Sequence, residues 1–303
     1  MPKSYTVVND YHNSRLDRWF KQNVINLPHS LIEKLIRQNK VKVNKKKTKT
    51  SYRVQSGDLI EIFDILKFKP IDKEKKIKYI PKKSEVGKYD DYVIEDNENF
   101  IIINKPSGIA VQAGTKSFKN IIDTIKNTKY FENSKPYIVH RIDKETSGIL
   151  IIAKNRKYAQ LFTSLFRIRK IHKTYLGIVL GEMIKKKGTL IDHLYHYEGD
   201  KKIKSKAITH YSVINSNNNY SLLKLNPETG RKHQLRKQLL IHGNPILGDS
   251  KYRLSENKPN KKEALMLHAH KINFSIAGTK YNYLAEPPLI FKSMLKEKYL
   301  KNF

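Results

Sequence analysis

The stretch His140-Arg-Ile-Asp-Lys-Glu-Thr-Ser-Gly148 sets one carboxylate, Asp143, among basic residues and a turn-forming Thr-Ser-Gly. It falls between two strand-like segments, Tyr137-Ile-Val-His-Arg141 and Gly148-Ile-Leu-Ile-Ile-Ala153, so Asp143 lies on a loop at a strand end. A rigid scaffold can present a catalytic group there, and a carboxylate can act as nucleophile or as base. By residue type alone the same residues make an ordinary turn. Both readings stand at this point.

A second stretch, GRKHQLRKQLL from Gly230 to Leu240, reads as a basic helix carrying Arg236. An arginine there can grip a phosphate or neutralise a carboxylate. His193-x-x-His196 and His268-x-His270 have the spacing of metal ligands, the second pair on one face of a strand because side chains alternate. With no cysteine in the chain and no obvious carboxylate partner, no metal is expected. His-Arg-Ile-Asp also echoes a kinase catalytic loop, but no glycine-rich loop or DFG triplet accompanies it. A Walker A loop and a paired-glycine dinucleotide fingerprint are both missing, so no cofactor is expected. The zero cysteine count excludes disulfides and a cysteine nucleophile.

A length of 303 residues suits two domains better than one. The first runs from 8 to 68. Leu16, Trp19 and Phe20 suggest a short amphipathic helix, and Ser30-Leu-Ile-Glu33 has the capping-box pattern at the head of a second. Leu31, Ile32, Leu35 and Ile36 share one face of that helix. Val41 and Val43 alternate with Lys40, Lys42 and Asn44 as in a half-buried strand, and Ser56-Gly57-Asp58 marks a turn before Leu59-Ile60-Glu61-Ile62-Phe63. Lys34, Arg37, Lys40 and Lys42 place cations on one helix–strand surface suited to phosphates, or simply on a solvated basic face. Residues 69–89, dense in lysine and holding Pro70 and Pro81, read as a basic linker. From 90 to 303 the pattern is that of a mixed sheet with flanking helices. Asn97-Glu98-Asn99 joins a hairpin, and strands lie at 173–180, 207–214 and 220–226. Tyr158, Leu161, Phe162, Leu165 and Phe166 give the apolar stripe of a helix.

The 8–68 stretch resembles the S4 RNA-binding domain through RLDRWF, SLIEKLIRQNKVKVN and SGDLIEI. HRIDKETSGILIIAK resembles the HRLDxxTSG motif of the RluA family of pseudouridine synthases. Asn104-Lys-Pro-Ser-Gly108, Lys173-Thr-Tyr175, Gly230-Arg-Lys-His-Gln-Leu-Arg236, Gly243-Asn-Pro-Ile-Leu-Gly-Asp-Ser-Lys-Tyr252 and Leu267-His-Ala269 are similar to further elements of that family, in its order. Two positions depart from it: Lys232 replaces a threonine, and Gln238 a common histidine, both expected at the pocket edge. The resemblance implies an α+β protein: a small S4-like αα-β module joined by a basic linker to a mixed, mainly antiparallel β-sheet catalytic domain with flanking helices. It implies an isomerase that converts uridine to pseudouridine without a cofactor. Asp143 would be its catalytic carboxylate, Arg236 the partner that keeps that carboxylate charged and fixes its oxygens, and Tyr175 the ring that stacks on the base and assists proton removal from C5. Leu235 would wall the uracil, Arg141 would fill the space of the flipped nucleotide or hold its phosphate, and Lys105 would contact another phosphate. Without the resemblance, Tyr175 and Leu235 are core residues, and Arg141 and Lys105 solvated cations.

Lys and Arg number 60 against 28 Asp and Glu, a formal charge of +32. That excess favours polyanionic partners, nucleic acid first and an anionic membrane surface second. No apolar run reaches the ~18 residues that span a bilayer, and MPKSYTVVNDYHNSRLD lacks the apolar centre of a signal peptide. The expectation is a cytoplasmic RNA-binding protein, monomeric by default, with no membrane partner. Within the family, the wording SLIEKLIRQNKVKVNKKKTK is closest to the enzymes of large-subunit ribosomal RNA. A non-catalytic RNA-binding or ribosome-assembly factor and an enzyme acting on transfer RNA are the alternatives; the intact Asp143, Tyr175 and Arg236 set argues for a catalyst.

Overall fold

In the computed structural model, which describes residues 2–68, 81, 87, 89–113, 119–198, 201–254 and 264–301, the chain forms two units, Met1–Ile77 and Lys78–Phe303. The first contains β1 (Lys3–Thr6), β2 (Ser14–Arg15), α1 (Leu16–Asn23), α2 (His29–Arg37), β3 (Val41–Val43), β4 (Lys46–Lys47), β5 (Arg53–Val54) and β6 (Leu59–Ile62). Antiparallel pairing gives a sheet in the order β1-β6-β3-β4. Val41, Val43, Ile60 and Ile62, on alternating positions, meet Leu16, Trp19, Phe20, Ile32, Leu35 and Ile36 from the helices. Two expectations change. Lys3–Thr6 pairs with Ile62–Leu59, so the unit begins before Val8. Helix α2 starts at His29, and Ser30 makes no cap. Pro28 takes that place: its ring fixes φ for entry, and its carbonyl accepts from the Leu31 and Ile32 N–H groups. The expected linker lies outside the described residues except at 81, 87 and 89.

The second unit contains β7 (Val93–Asp96), β8 (Phe100–Lys105), α3 (Ile121–Ile125), β9 (Tyr137–Ile138), β10 (Ser147–Ala153), α4 (Arg156–Arg167), β11 (His172–Leu180), β12 (Lys187–Glu198), β13 (Lys201–Ser216), β14 (Tyr220–Pro227), α5 (Gln234–Ile241), β15 (Leu267–Ile276), β16 (Thr279–Leu284) and α6 (Leu289–Glu297). Its sheet runs β12-β13-β14-β11-β15-β10-β8-β7, with β16 also on β15 and β9 on β10. Two antiparallel halves meet at a short parallel contact, Ser147↔His268 and Gly148↔Ala269. That seam requires Gly148: its φ is +108°, and a Cβ there would lie 2.2 Å from the Ala269 carbonyl oxygen. The near-continuous apolar runs of β8 and β10 are buried on both faces, against Phe162 and Phe274 on one side and Ile121 and Ile125 on the other. Asn155 caps α4 by accepting from the Tyr158 N–H.

Three local readings are corrected. The expected 207–214 strand forms but is part of a longer one, β13, in a long β12–β13 hairpin; on β12 the polar Asp192 between buried Leu190 and Leu194 interrupts the apolar alternation. In GRKHQLRKQLL only Gln234 onwards is helical, because His233 sits in the left-handed region at φ +54°. The strand at Tyr137 stops after Ile138, since the His140 ring, not backbone, accepts from the Ile151 N–H at 2.8 Å.

Candidate active site

At the seam of the sheet a cleft of about 750 Å³ opens, lined among others by Arg141, Asp143, Lys173, Tyr175, Leu235 and Arg236. Asp143 stands on the loop entering β10. Half-buried His140 holds one end of that loop, its ring stacked on Phe166 at 4.6 Å. Burial, with Lys173 nearby, pushes His140 down to about 3, so it stays neutral and can accept the Ile151 N–H. Gly148 fixes the other end. Tyr175 enters from β11 beside an irregularity in register, where Thr174 pairs with Lys271 but Tyr175 with Ala269; such bulges re-aim side chains near active sites.

Arg236, 3% exposed, projects from α5 between three carboxylates. Nε and Nη2 donate to Asp249 Oδ2 and Oδ1 at 2.7 and 2.8 Å, whereas Nη1 reaches Asp143 Oδ2 at 3.4 Å and Glu145 Oε2 at 3.5 Å. The paired bonds expected for Asp143 therefore go to Asp249. Asp249 is the sealed carboxylate, with a fully buried side chain, and Asp143 keeps 24% of its side chain exposed to the cleft. Burial disfavours the charge of Arg236, but the Asp249 hydrogen bonds and the three carboxylates outweigh it and hold the guanidinium above its usual value. Asp249 is likewise raised by burial and lowered more by Arg236 and the Tyr252 and Lys251 N–H groups, ending below the ordinary carboxylate value. Gly248, at φ +76°, lets this loop pass: a Cβ would lie 2.0 Å from the Ala264 carbonyl oxygen.

His233, Tyr252 and Asp249 were not singled out from the sequence. His233 Nε2 lies 3.8 Å from Asp143 Oδ1, and its Nδ1 is 2.9 Å from the Tyr252 hydroxyl. Burial keeps this imidazole below its ordinary value although Asp143 pulls upward. Tyr252 also lies under the Arg236 guanidinium, 5.2 Å from ring centroid to Cζ. The usable signal was Asp249 itself, the one acid in the Gly243–Tyr252 element.

Tyr175 borders two hydrophobic clusters and the cleft. Burial, then the Asp143 charge, raises its phenol well above the ordinary tyrosine value. Leu235 is buried and Arg141 exposed, both at the cleft wall. Lys105 is corrected. It is fully buried, and its ammonium donates to the carbonyls of Pro106, Ile109 and Lys144 at 2.8, 3.0 and 3.1 Å. Three acceptors use its three donors, leaving nothing for a phosphate. Gln238 is also no pocket-edge residue: fully buried, it donates to Leu190 O and Asp192 Oδ2 and accepts from Thr209. Lys232 is exposed.

In the first unit, Lys34 and Arg37 are exposed on α2. Lys40 is paired with Asp64 at 2.5 Å, and Lys42 lies over the Phe63 ring at 5.2 Å. The His268 and His270 rings both contact the Ala285 carbonyl at 2.9 Å, and His268 Nδ1 meets Ser147 Oγ at 2.9 Å. No group of three or more His, Asp or Glu side chains arranged for a metal occurs among the described residues. No helix among them is long and apolar enough to cross a membrane.

The RNA pseudouridylate synthase family matches residues 99–240 and the S4 domain residues 15–60. The chain is 36% identical over 301 residues to "Ribosomal large subunit pseudouridine synthase C" of Rickettsia conorii, covering 95% of this chain and 98% of that one. A protein of the same name from Buchnera aphidicola subsp. Baizongia pistaciae is 32% identical over 306 residues, covering 96% and 95%. Among solved structures, Human RNA Pseudouridylate Synthase Domain Containing 4 shares the fold with a TM-score of 0.62 at 24% identity, over 72% of this chain and 96% of that chain. By matched residues and near full-length identity, this chain belongs to the RNA pseudouridylate synthase family and is an isomerase of uridine in RNA.

Proposed function

We propose that the protein isomerises uridines of large-subunit ribosomal RNA, with Asp143 as the catalytic carboxylate and Tyr175, Arg236, Leu235 and Arg141 around the target nucleotide. The observation that carries this reading is the Asp143 side chain, open to the cleft and 3.4 Å from a guanidinium that Asp249 holds rigid. The substrate class follows the names of the relatives and the S4 match. The reading takes the chain as cytoplasmic and monomeric.

The reaction exchanges the N1–C1′ bond for a C5–C1′ bond and moves one proton from C5 to N1. It is neither a redox step nor a group transfer to a second molecule, and a carboxylate that attacks the nucleotide or removes a proton from it suffices to start it. The uridine first leaves its stack, at a cost of roughly a few kcal/mol. Arg141, exposed at the cleft wall, meets the extruded nucleotide, and Leu235 flanks the uracil. Tyr175 holds its proton while Asp143 is charged. Once that charge is lost to a bond or a proton, one of the two causes that raise the phenol is removed, and it becomes a better relay for the C5 proton.

Pseudouridine mapping in ribosomal and transfer RNA from cells carrying wild-type protein or Asp143→Asn tests this. The expected outcome is loss of specific large-subunit sites, with in vitro turnover falling by about 10⁴-fold or more, as when a nucleophile is removed. Unchanged sites identify a binding or assembly factor, and loss confined to transfer RNA relocates the substrate.

A further inference from the structure

Besides the cleft, the second unit has a hollow of about 500 Å³ between the α4–β11 corner and the β15–β16 hairpin. Lys170 and His172 reach it from the corner, Lys271 from β15 and Lys280 from β16. Among the described residues none of these three lysines has an acidic partner. Asn273 on the wall is opposite His172 across β11–β15 and opposite Asn282 across β15–β16, so three polar side chains form one row on one face. Its Oδ1 is buried and has no hydrogen-bond partner among the described residues, a state that native structures rarely leave unexplained. Tyr281, half-buried and stacked on Phe274 at 5.1 Å, also borders the hollow.

The corner ties the hollow to the cleft. Arg167 and Arg169 line the cleft, and Lys170 and His172 line the hollow. Arg169 has φ +58°, and the Arg169 and Lys170 N–H groups donate to the Phe166 and Leu165 carbonyls. This helix ending usually takes glycine; here the chain keeps a long cation despite the Cβ penalty.

We propose that the hollow is a second nucleotide site, which takes an unpaired nucleotide flanking the uridine held in the cleft. Its phosphates lie on Lys170 and Lys280, and its base edge meets the polar row of His172, Asn273 and Asn282. Unstacked bases read by their edges, with cations on the backbone, are how proteins recognise single-stranded RNA. The proposal rests on the reading of the cleft as the uridine site.

The test is ultraviolet cross-linking of the full chain to a large-subunit ribosomal RNA transcript, mapping peptide and nucleotide, with pseudouridine mapped on the same RNA. Adducts are expected on peptides containing His172 or Tyr281, joined to nucleotides close in sequence to the modified uridine. The double variant Lys170→Ala, Lys280→Ala should raise KM by about 3–10-fold, keep kcat within about twofold and reduce the log–log salt slope by about 1–2. Asn273→Leu, which removes the amide at similar volume without adding charge, should raise KM as well. Adducts confined to cleft peptides, or an unchanged KM in Asn273→Leu, overturn the site and leave a plain basic face. Cross-linking at the hollow without any pseudouridine breaks the cleft reading instead, and pseudouridine without the cross-link breaks this one.

Discussion

Lys34 and Arg37 stand in solvent on α2 of the first unit, whereas Arg236 in the second is 3% exposed and divides its donors among Asp249, Asp143 and Glu145. Exposed cations act through a screened, roughly additive field on phosphates, in which lysine and arginine are nearly interchangeable. A buried guanidinium acts through fixed geometry, and there the two residues differ. The carboxylates divide similarly. Asp17 and Asp58 in the first unit satisfy local donors, Arg15 and His29 in one case, Asn44, Tyr52 and the Gln55 N–H in the other. In the second unit Asp249 holds the arginine that faces the open Asp143. In the first unit the cations facing solvent are a surface property and the buried acids Asp17 and Asp58 hold local structure; in the second, buried charge is part of a mechanism.

Arg236→Lys should break the comparison most sharply. Lysine keeps the charge but cannot hold both Asp249 oxygens and still face Asp143. We expect kcat to fall by about 100-fold, corresponding to loss of one or two charge-assisted hydrogen bonds, while the RNA dissociation constant shifts by less than about threefold. An equal loss in binding would place Arg236 with the phosphate-gripping cations. Asp249→Asn should cost about 3 kcal/mol of stability by taking the bidentate partner from a buried guanidinium that then keeps only the longer contacts to Asp143 and Glu145, read by denaturant unfolding. Asp249 is held below its ordinary value of 3.8 when folded. Its contribution is therefore present above that pH and is lost as pH falls through the folded-state value; the Asn variant should lack this part of the acid limb.

Tyr175→Phe should bind RNA normally and lose turnover by about 100-fold, the lower end of the range for a lost proton-transfer group, with product stalled after cleavage of the glycosidic bond. Full turnover would leave Tyr175 only a stacking surface. Lys105→Met keeps the shape but leaves three carbonyls without donors, destabilising the unit by about 1–3 kcal/mol or more and lowering kcat through the Lys144 carbonyl beside Asp143. Burial pushes Lys105 down to about 7 against the pull of Glu145 and Asp143. Between pH 7 and the ordinary 10.5 the unfolded chain holds the proton that the folded chain has released, so wild-type stability gains from this group as pH rises. That slope should vanish in the Met variant, a difference thermal melts at pH 7 and 9 would reveal.

Much of this arrangement was legible beforehand, because the elements that build it carry strong local signals. The β8 and β10 runs, the α4 stripe and the hairpin at Asn97 follow from apolar periodicity and turn chemistry. Asp143, Tyr175, Arg236, Leu235 and Arg141 do line one cleft. The misses at Lys105, Gln238 and Asp249 share a cause: each depends on partners distant in sequence. Lys105 reads as a surface cation until the Lys144 carbonyl, 39 positions away, comes within 3.1 Å. Gln238 is buried only because the β12–β13 hairpin folds over it. Asp249 takes the bidentate bonds because the Gly248 turn brings it nearer Arg236 than Asp143 comes. No local pattern encodes which of two carboxylates an arginine will choose.

The smallest expected effect is in the first unit. Lys34→Ala, Arg37→Ala removes two cations that stand in solvent, so folding should be unchanged. Lys40 and Lys42 already have partners in Asp64 and Phe63, and removing either would disturb the unit as well as its charge. The Lys34 and Arg37 pair therefore isolates the surface field. If each meets one phosphate, the log–log salt slope of RNA binding should fall by about 1 per residue and affinity by a fewfold near physiological salt, uniformly across sequences. The pair Lys34→Arg, Arg37→Lys should bind as wild type does, since neither site demands a fork. Loss of affinity in that swapped pair would mean that the first unit also reads RNA by geometry, and the contrast with Arg236 would become one of degree.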